Sequence, residues 1–236
     1  MKRELYKKLD IPKQKIDECI KQTAENTNMS ISDVINVLAM SDLQDNTIYF
    51  YDTQKEYGEF SNFWDTTMHK KKYKSPLKLY IGGKTWSSSE EYYQAIKFKD
   101  QGKIGEEYIE ILRAATTDAK KYALANQKPV GRYINKWFVD AKKDRRKIVD
   151  IITEYKEKGL RIRSDWEDIK DCVMRRAVFG KFNQNSHLRD LLLKTGKCRI
   201  VEDSPRDSYW GIGKDGTGKN MLGQILQRTR EKLTEK

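Results

Sequence analysis

Residues 86–98 read WSSSEEYYQAIKF, and the interpretation of this stretch decides how the rest of the chain is organised. Ser87 opens a Ser-x-x-Glu pattern that closes on Glu90, in which a hydroxyl and a carboxylate satisfy the first free amides of a helix. At roughly 100° of rotation per residue, Glu90, Gln94 and Lys97 fall on one face with Tyr93 and Phe98 at its edges. Tyr92, Ala95 and Ile96 face the other way. One face therefore carries polar chemistry and the other can enter a core. A carboxylate, an amide and an ammonium in a row beside aromatic rings can grip and protonate a polar, ring-containing substrate. A solvated face with ordinary helix pairs gives the same pattern, so the weight falls on the motifs around it.

Upstream, residues 48–51 read as a strand, and residues 57–63, YGEFSNF, as a loop between aromatic anchors. The basic tract HKKKYK at 69–74 reads as a solvated loop suited to phosphates. Residues 77–81 form a second strand, and Gly82-Gly83 a hairpin turn. Downstream the pattern is helical over about 103–113, 117–127 and 142–158, the second stopping before Pro129 and Gly131. Ser164 to Glu167 is a second capping box, opening a helix to about Phe179. Residues 181–185 interrupt it, and Leu188, Leu191 and Leu192 mark another helix ended by Thr195-Gly196. Residues 198–201 read as a strand, and a terminal helix runs to about Lys232. The expected fold is α+β: a mostly helical single domain around a small β-sheet over residues 47–236, with a helical hairpin appended at 1–46.

The chain has 236 residues, 35% charged and 11% aromatic, enough to build a sizeable core. Its net charge of +12 and pI near 9.4 favour an anionic partner such as nucleic acid or a nucleotide. That charge is unevenly spread. Residues 1–46 carry a balance of −1, so residues 47–236 carry +13. In the first segment Pro12 suits a first helical turn, and Ile16, Ile20 and Ala24 follow at helical spacing. Ser30 can cap a second helix striped by Ile31, Val34, Ile35 and Leu38. Such a pair can read DNA or pack as an ordinary hairpin, and the acidic balance weighs against DNA. The segment 133–162, with nine basic and five acidic residues, can touch a nucleic-acid backbone or simply face solvent. Three scattered cysteines, Cys19, Cys172 and Cys198, give neither a disulfide framework nor a thiolate metal cluster. With no apolar signal core and no long apolar run, the expectation is a cytoplasmic, soluble protein without a membrane partner.

The densest polar constellation is EDSPRDSYWGIG at 202–213, followed by GTGKNMLG at 216–223. Glycines let a backbone approach a ligand, and the helix start behind them suits phosphate. No P-loop or dinucleotide-binding spacing occurs. His69 and His187 sit in no ligand motif, so no metal and no cofactor is expected. Chemistry falls to carboxylates, amides and aromatics.

Taken in order, GxFSNF at 58–63, WxxSExYYQAxKF at 86–98, RxDW at 163–166, KFxQN at 181–185, LLxTG at 192–196, ExSPxDxxWGxG at 202–213 and GxNxLG at 218–223 resemble the NADAR, or YbiA-like, family. The resemblance spans residue 48 to the C-terminus. It implies an α+β domain that hydrolyses N-glycosidic bonds, on ADP-ribose attached to guanine bases or on ribosylamino-pyrimidine phosphate intermediates of riboflavin synthesis. A paired ADP-ribosyltransferase is a family-level expectation. Ser87 and Glu91 stand where relatives often carry Pro and His, the interval between Arg132 and Arg163 is expanded, and residues 1–46 lie outside the resemblance.

Breaking a base-to-ribose C–N bond develops oxocarbenium charge and needs protonation of the leaving nitrogen or activation of water, both within reach of carboxylates. Glu90 is the expected principal acid/base, its pKa raised if Trp86 and Tyr93 exclude water. Asp207 or Glu202 orients water or binds ribose hydroxyls. Phe63 and Trp210 stack on a base, and Asn62, Gln94 and Asn220 read polar edges. Lys97, Lys181 and the amides from Gly211 to Gly213 meet phosphate. The +13 charge favours ADP-ribosylated nucleic acid over a metabolite; a non-catalytic binder of ADP-ribose or NAD would use the same pocket without turnover.

Overall fold

Two separate sets of apolar residues bury themselves in two units, Met1–Thr47 and Ile48–Lys236. The computed structural model describes residues 13–35, 47–115, 124–127 and 141–235. Pro12, Leu38, most of the helix expected at 117–127 and the start of the basic segment lie outside them.

In the first unit, α1 (Lys13–Thr27) buries Ile16, Ile20 and Ala24 at the expected spacing. The chain turns at Asn28, whose φ of 56° ends the helix. Ser30 Oγ then accepts from the Asp33 amide at 3.1 Å, and residues 31–35 bring Val34 onto the same cluster. Ile31 does not join the stripe, being 50% exposed.

The second unit is mostly helical. Strand β1 (Thr47–Phe50) leads into a 3₁₀ turn at Gly58–Phe60 and α2 (Thr66–Tyr73). β2 (Tyr80–Ile81) and β3 (Lys84–Thr85) form an antiparallel hairpin, and α3 (Ser89–Ile96) and α4 (Gly102–Ala114) follow. After α5 (Ala141–Glu157) come α6 (Trp166–Asn183), α7 (Ser186–Lys194), β4 (Arg199–Glu202) and α8 (Met221–Thr234). The small sheet is two ladders among the described residues, β1 beside β4 and β2 beside β3. Gly82 and Gly83 sit at φ 63° and 79°, the left-handed geometry that only glycine adopts freely.

Residues 77–79 run extended without a strand partner, because amide side chains stand in for one. Asn185 accepts from the Lys78 amide at 2.8 Å and donates to its carbonyl at 2.7 Å. Gln184 does the same for Tyr80, at 2.8 and 3.1 Å. The basic tract is not a loop: Asp65 caps it through the Met68 amide at 2.8 Å and it winds into α2. Ser164 opens no capping box. Asp165 holds the N-cap position of α6 with its carboxylate taken by Arg163, at 2.6 and 2.9 Å. Nor does α6 stop at Phe179; Ala177, Val178, Gly180 and Phe182 are all buried, and the helix continues to Asn183. It lies centrally, packed on α3, α7 and α8, while α8 packs on β4. Among the described residues no helix is long and apolar enough to cross a membrane.

Candidate active site

The start of α3 sets the position of Glu90. Its N-cap is Ser88, whose Oγ accepts from the Glu91 amide at 3.1 Å, and Glu91 Oε2 in turn accepts from the Ser87 amide at 2.5 Å. The capping pair is thus displaced by one residue from Ser87 and Glu90. Glu91 does the capping, and Glu90 accepts instead from Gln94 Nε2, at 2.6 Å. The Glu90 amide donates to the Asn62 carbonyl at 3.1 Å, tying the 57–63 loop to the helix start. Lys97, one turn beyond Tyr93, donates to Asn126 Oδ1 at 3.1 Å, with its ammonium 5.8 Å and 5.5 Å from the ring centres of Tyr93 and Trp166. Burial pulls Lys97 down to about 8, against the upward pull of Glu90 and Glu167.

Opposite stands the loop after β4. Asp207 Oδ1 accepts from the amides of Tyr209 and Trp210 at 2.9 and 2.8 Å, which turns the chain and fixes that carboxylate. Trp210 meets Tyr93 edge to face at 5.5 Å, and Trp166 meets the same tyrosine at 4.8 Å. Glu202 ends β4 with its Oε2 sealed from solvent and without a hydrogen-bond partner. Burial first, then the charges of Asp207 and Glu90, push its carboxyl up to about 8. Asn62 Oδ1 and Gln94 Oε1 are likewise buried and unpartnered. The carboxylates of Glu90 on α3 and of Asp207 in the loop after β4 therefore both act on Glu202, beside two open acceptors and an aromatic cluster. The set combines a carboxylic acid that keeps its proton at neutral pH with carboxylates held by amides, the pairing that acid/base cleavage requires.

The NADAR domain family matches residues 49–234, nearly the whole second unit. The chain belongs to the NADAR family. It is 35% identical over 193 residues to the Escherichia coli N-glycosidase YbiA, covering 81% of this chain and 91% of that one. It is 34% identical over 187 residues to the N-glycosidase Npun_R5314 of Nostoc punctiforme, covering 79% and 92%. The Vibrio vulnificus riboflavin biosynthesis protein VVA0006 matches at 33% over 195 residues, covering 83% of this chain and 41% of that protein. The solution structure of E. coli YbiA superposes with a TM-score of 0.52 at 32% identity, over 81% of this chain and 87% of YbiA. Together these relatives support an N-glycosidase of the NADAR family.

Within this NADAR domain, Glu90, Gln94, Glu202, Asp207, Asn62, Lys97 and Trp210 belong to the linked set just described, and Phe63 stands beside Asn62 at 40% exposure. Other expected site residues are placed elsewhere. Trp86 is a core residue, 3% exposed, its Nε1 donating to the Ile81 carbonyl at 3.1 Å and its ring against Tyr92. Lys181 is 1% exposed and donates to the Ser61 carbonyl at 2.8 Å, so it supports the turn before Asn62 and is out of reach of a phosphate. Burial pulls it down to about 7, with Glu59 opposing. Asn220 spends both ends of its amide on β4. Gly211 serves a tight backbone crossing, since a Cβ there would come within 2.7 Å of the Glu202 carbonyl. The next two amides are spent internally, Ile212 on the Glu202 carbonyl at 3.0 Å and Gly213 on the Asp207 carbonyl at 3.1 Å. No phosphate cradle is built there. Sequence reasoning assigned no role to Trp166 and Asn126; the RxDW motif carried the signal for the first, and nothing local marks the second.

Proposed function

We propose that this NADAR protein is an N-glycosidase that releases ADP-ribose from guanine bases in nucleic acid. The observation that carries the reading is Glu202, half-buried with its Oε2 enclosed and unpartnered, and raised to about 8 by burial and by the neighbouring charges of Asp207 and Glu90. Protonated at neutral pH, it donates to the leaving guanine nitrogen as the C–N bond breaks. Glu90, oriented by Gln94, takes a proton from the attacking water and faces the developing oxocarbenium charge. Asp207, fixed by two amides, is placed for ribose hydroxyls. Trp210 and Phe63 supply ring faces for the base, and the cationic Lys97 offsets substrate charge. The +13 of residues 47–236 supports a polyanionic substrate. The riboflavin-named relative favours a second reading, hydrolysis of a ribosylamino-pyrimidine phosphate.

The test incubates wild type, Glu90→Gln and Glu202→Gln with an oligonucleotide bearing ADP-ribose on guanine and follows the mass of both products. Release of ADP-ribose and unmodified oligonucleotide by wild type alone is expected. Cleavage of the pyrimidine phosphate but not the oligonucleotide would move the substrate to the second reading. Binding of ADP-ribose without turnover of either would leave a binding module.

A further inference from the structure

The basic tract that winds into α2 has no part in the site above, yet it is built against it. The Thr66 amide donates to the Ser87 carbonyl at 2.9 Å, immediately before the cap of α3. Between α2 and the 52–58 turn lies a cleft of about 300 Å³ lined by Lys55, Lys71, Lys72, Glu59, Trp64 and Met68. Both walls are fixed. The turn is closed by the Lys55 amide on the Asp52 carbonyl and the Gly58 amide on the Lys55 carbonyl, at 3.1 and 3.0 Å, and a Cβ on Gly58 would stand 2.4 Å from the Thr53 carbonyl oxygen. The one carboxylate in the cleft, Glu59, is already engaged by the Lys72 ammonium and by the Tyr73 hydroxyl at 2.7 Å. Lys55 and Lys71 have no carboxylate partner among the described residues, so the cleft keeps an uncompensated positive charge. Trp64, 5% exposed, contributes a buried Nε1–H that has no acceptor.

Only Phe63, 40% exposed, separates Trp64 from Asn62 of the catalytic set. A polymer leaving that set past Phe63 can bring its next phosphate to the cleft. We infer that the cleft between the 52–58 turn and α2 binds the phosphodiester backbone flanking the reacting nucleotide, with Lys55 and Lys71 as the contacting cations. This deepens the nucleic-acid reading above and rests on it for the identity of the reacting nucleotide.

The test measures binding of an unmodified, fluorescein-labelled single-stranded oligonucleotide by anisotropy at a series of salt concentrations. Lys55→Gln/Lys71→Gln is expected to weaken binding about tenfold at low salt and to lower the slope of log Kd against log salt by about 1.4, two contacts at about 0.7 each. Lys103→Gln/Lys232→Gln, which removes two exposed lysines from α4 and α8, is expected to keep the wild-type slope. No binding by wild type, an unchanged slope in the cleft variant, or an equal fall in the control would each overturn the inference. Release of ADP-ribose with an unchanged slope leaves the proposed function standing without the cleft; the expected slopes without release leave the cleft standing without that function.

Discussion

The backbone amide of Glu202 donates to Oδ1 of Asn220 at 2.9 Å, and the same side chain returns from Nδ2 to the Ile200 carbonyl at 2.9 Å. Asn220 holds a φ of 50°, a left-handed conformation that asparagine tolerates and most residues resist. The side chain thus pins the end of β4 and with it the candidate acid. Asn220→Ala is expected to cost about 2–3 kcal/mol, from a buried amide left unpaired and a strained backbone. Thermal denaturation should show a fall in Tm of several degrees, and kcat should fall further than the loss of folded protein explains. Asn220→Gly, which relieves the left-handed strain but restores neither side-chain hydrogen bond, should lose less stability than Asn220→Ala.

Glu202 gives a pH signature. Its folded pKa, about 8, lies above the ordinary carboxyl value, so across the window from about 4.5 to 8 the folded state binds more protons than the unfolded one. Stability therefore falls as pH rises through that window. Glu202→Gln has no proton to lose, and its Tm relative to wild type should climb between pH 5 and 8.5, by the equivalent of about 2–4 kcal/mol. A flat difference between the two proteins would show that Glu202 is not held protonated. Activity carries the same group: wild-type kcat should decline on the alkaline side near pH 8 while Glu202→Gln stays low throughout.

The polar face of α3 was legible because Glu90, Gln94 and Lys97 follow helical spacing, and spacing survives whatever the tertiary surroundings do. The exact cap was not, since two serines and two glutamates adjoin and only the fold chooses Ser88 and Glu91 over Ser87 and Glu90. Glycines at 211 and 213 suggest a ligand cradle by type alone; the fold instead crosses the chain tightly there, with a Cβ on Gly211 meeting the Glu202 carbonyl and one on Gly213 meeting Ser208, contacts within the motif that only its folded path reveals. Lys181 and Trp86 look polar or aromatic enough for a site, yet burial is a property of the elements packed over them. The raised carboxyl of Glu202 was invisible for the same reason. It arises from burial first, then from Asp207 in the same motif and from Glu90, which lies more than a hundred residues earlier in the chain; the burial is what the sequence does not display.

Gly223 tests the packing of α8 on β4. A Cβ at this position would stand 2.1 Å from the Ile200 carbonyl and 2.5 Å from both ends of the Asn220 amide. None of these atoms can swing aside without breaking the clamp on β4. Gly223→Ala, although it raises helix propensity, should therefore destabilise by about 3 kcal/mol or more. Urea unfolding of the soluble fraction measures it, and a neutral or stabilising result would mean that β4 and α8 are farther apart than described.

Lys97 predicts the opposite pH trend to Glu202. Burial lowers its folded pKa to about 8 from the ordinary lysine value of 10.5, so between those values the unfolded state binds more protons. Stability contributed by this site consequently rises with pH through the window. Lys97→Met removes the cost of enclosing the ammonium beside Tyr93 and Trp166. It should be as stable as wild type or more so at pH 7, with wild type gaining on it by about 2–3 kcal/mol as pH climbs from 7.5 to 10. The variant should nevertheless lose turnover if Lys97 acts as proposed; a stable Lys97→Met protein with wild-type kcat and KM would remove Lys97 from the site and leave it as a buried lysine beside Asn126, Tyr93 and Trp166.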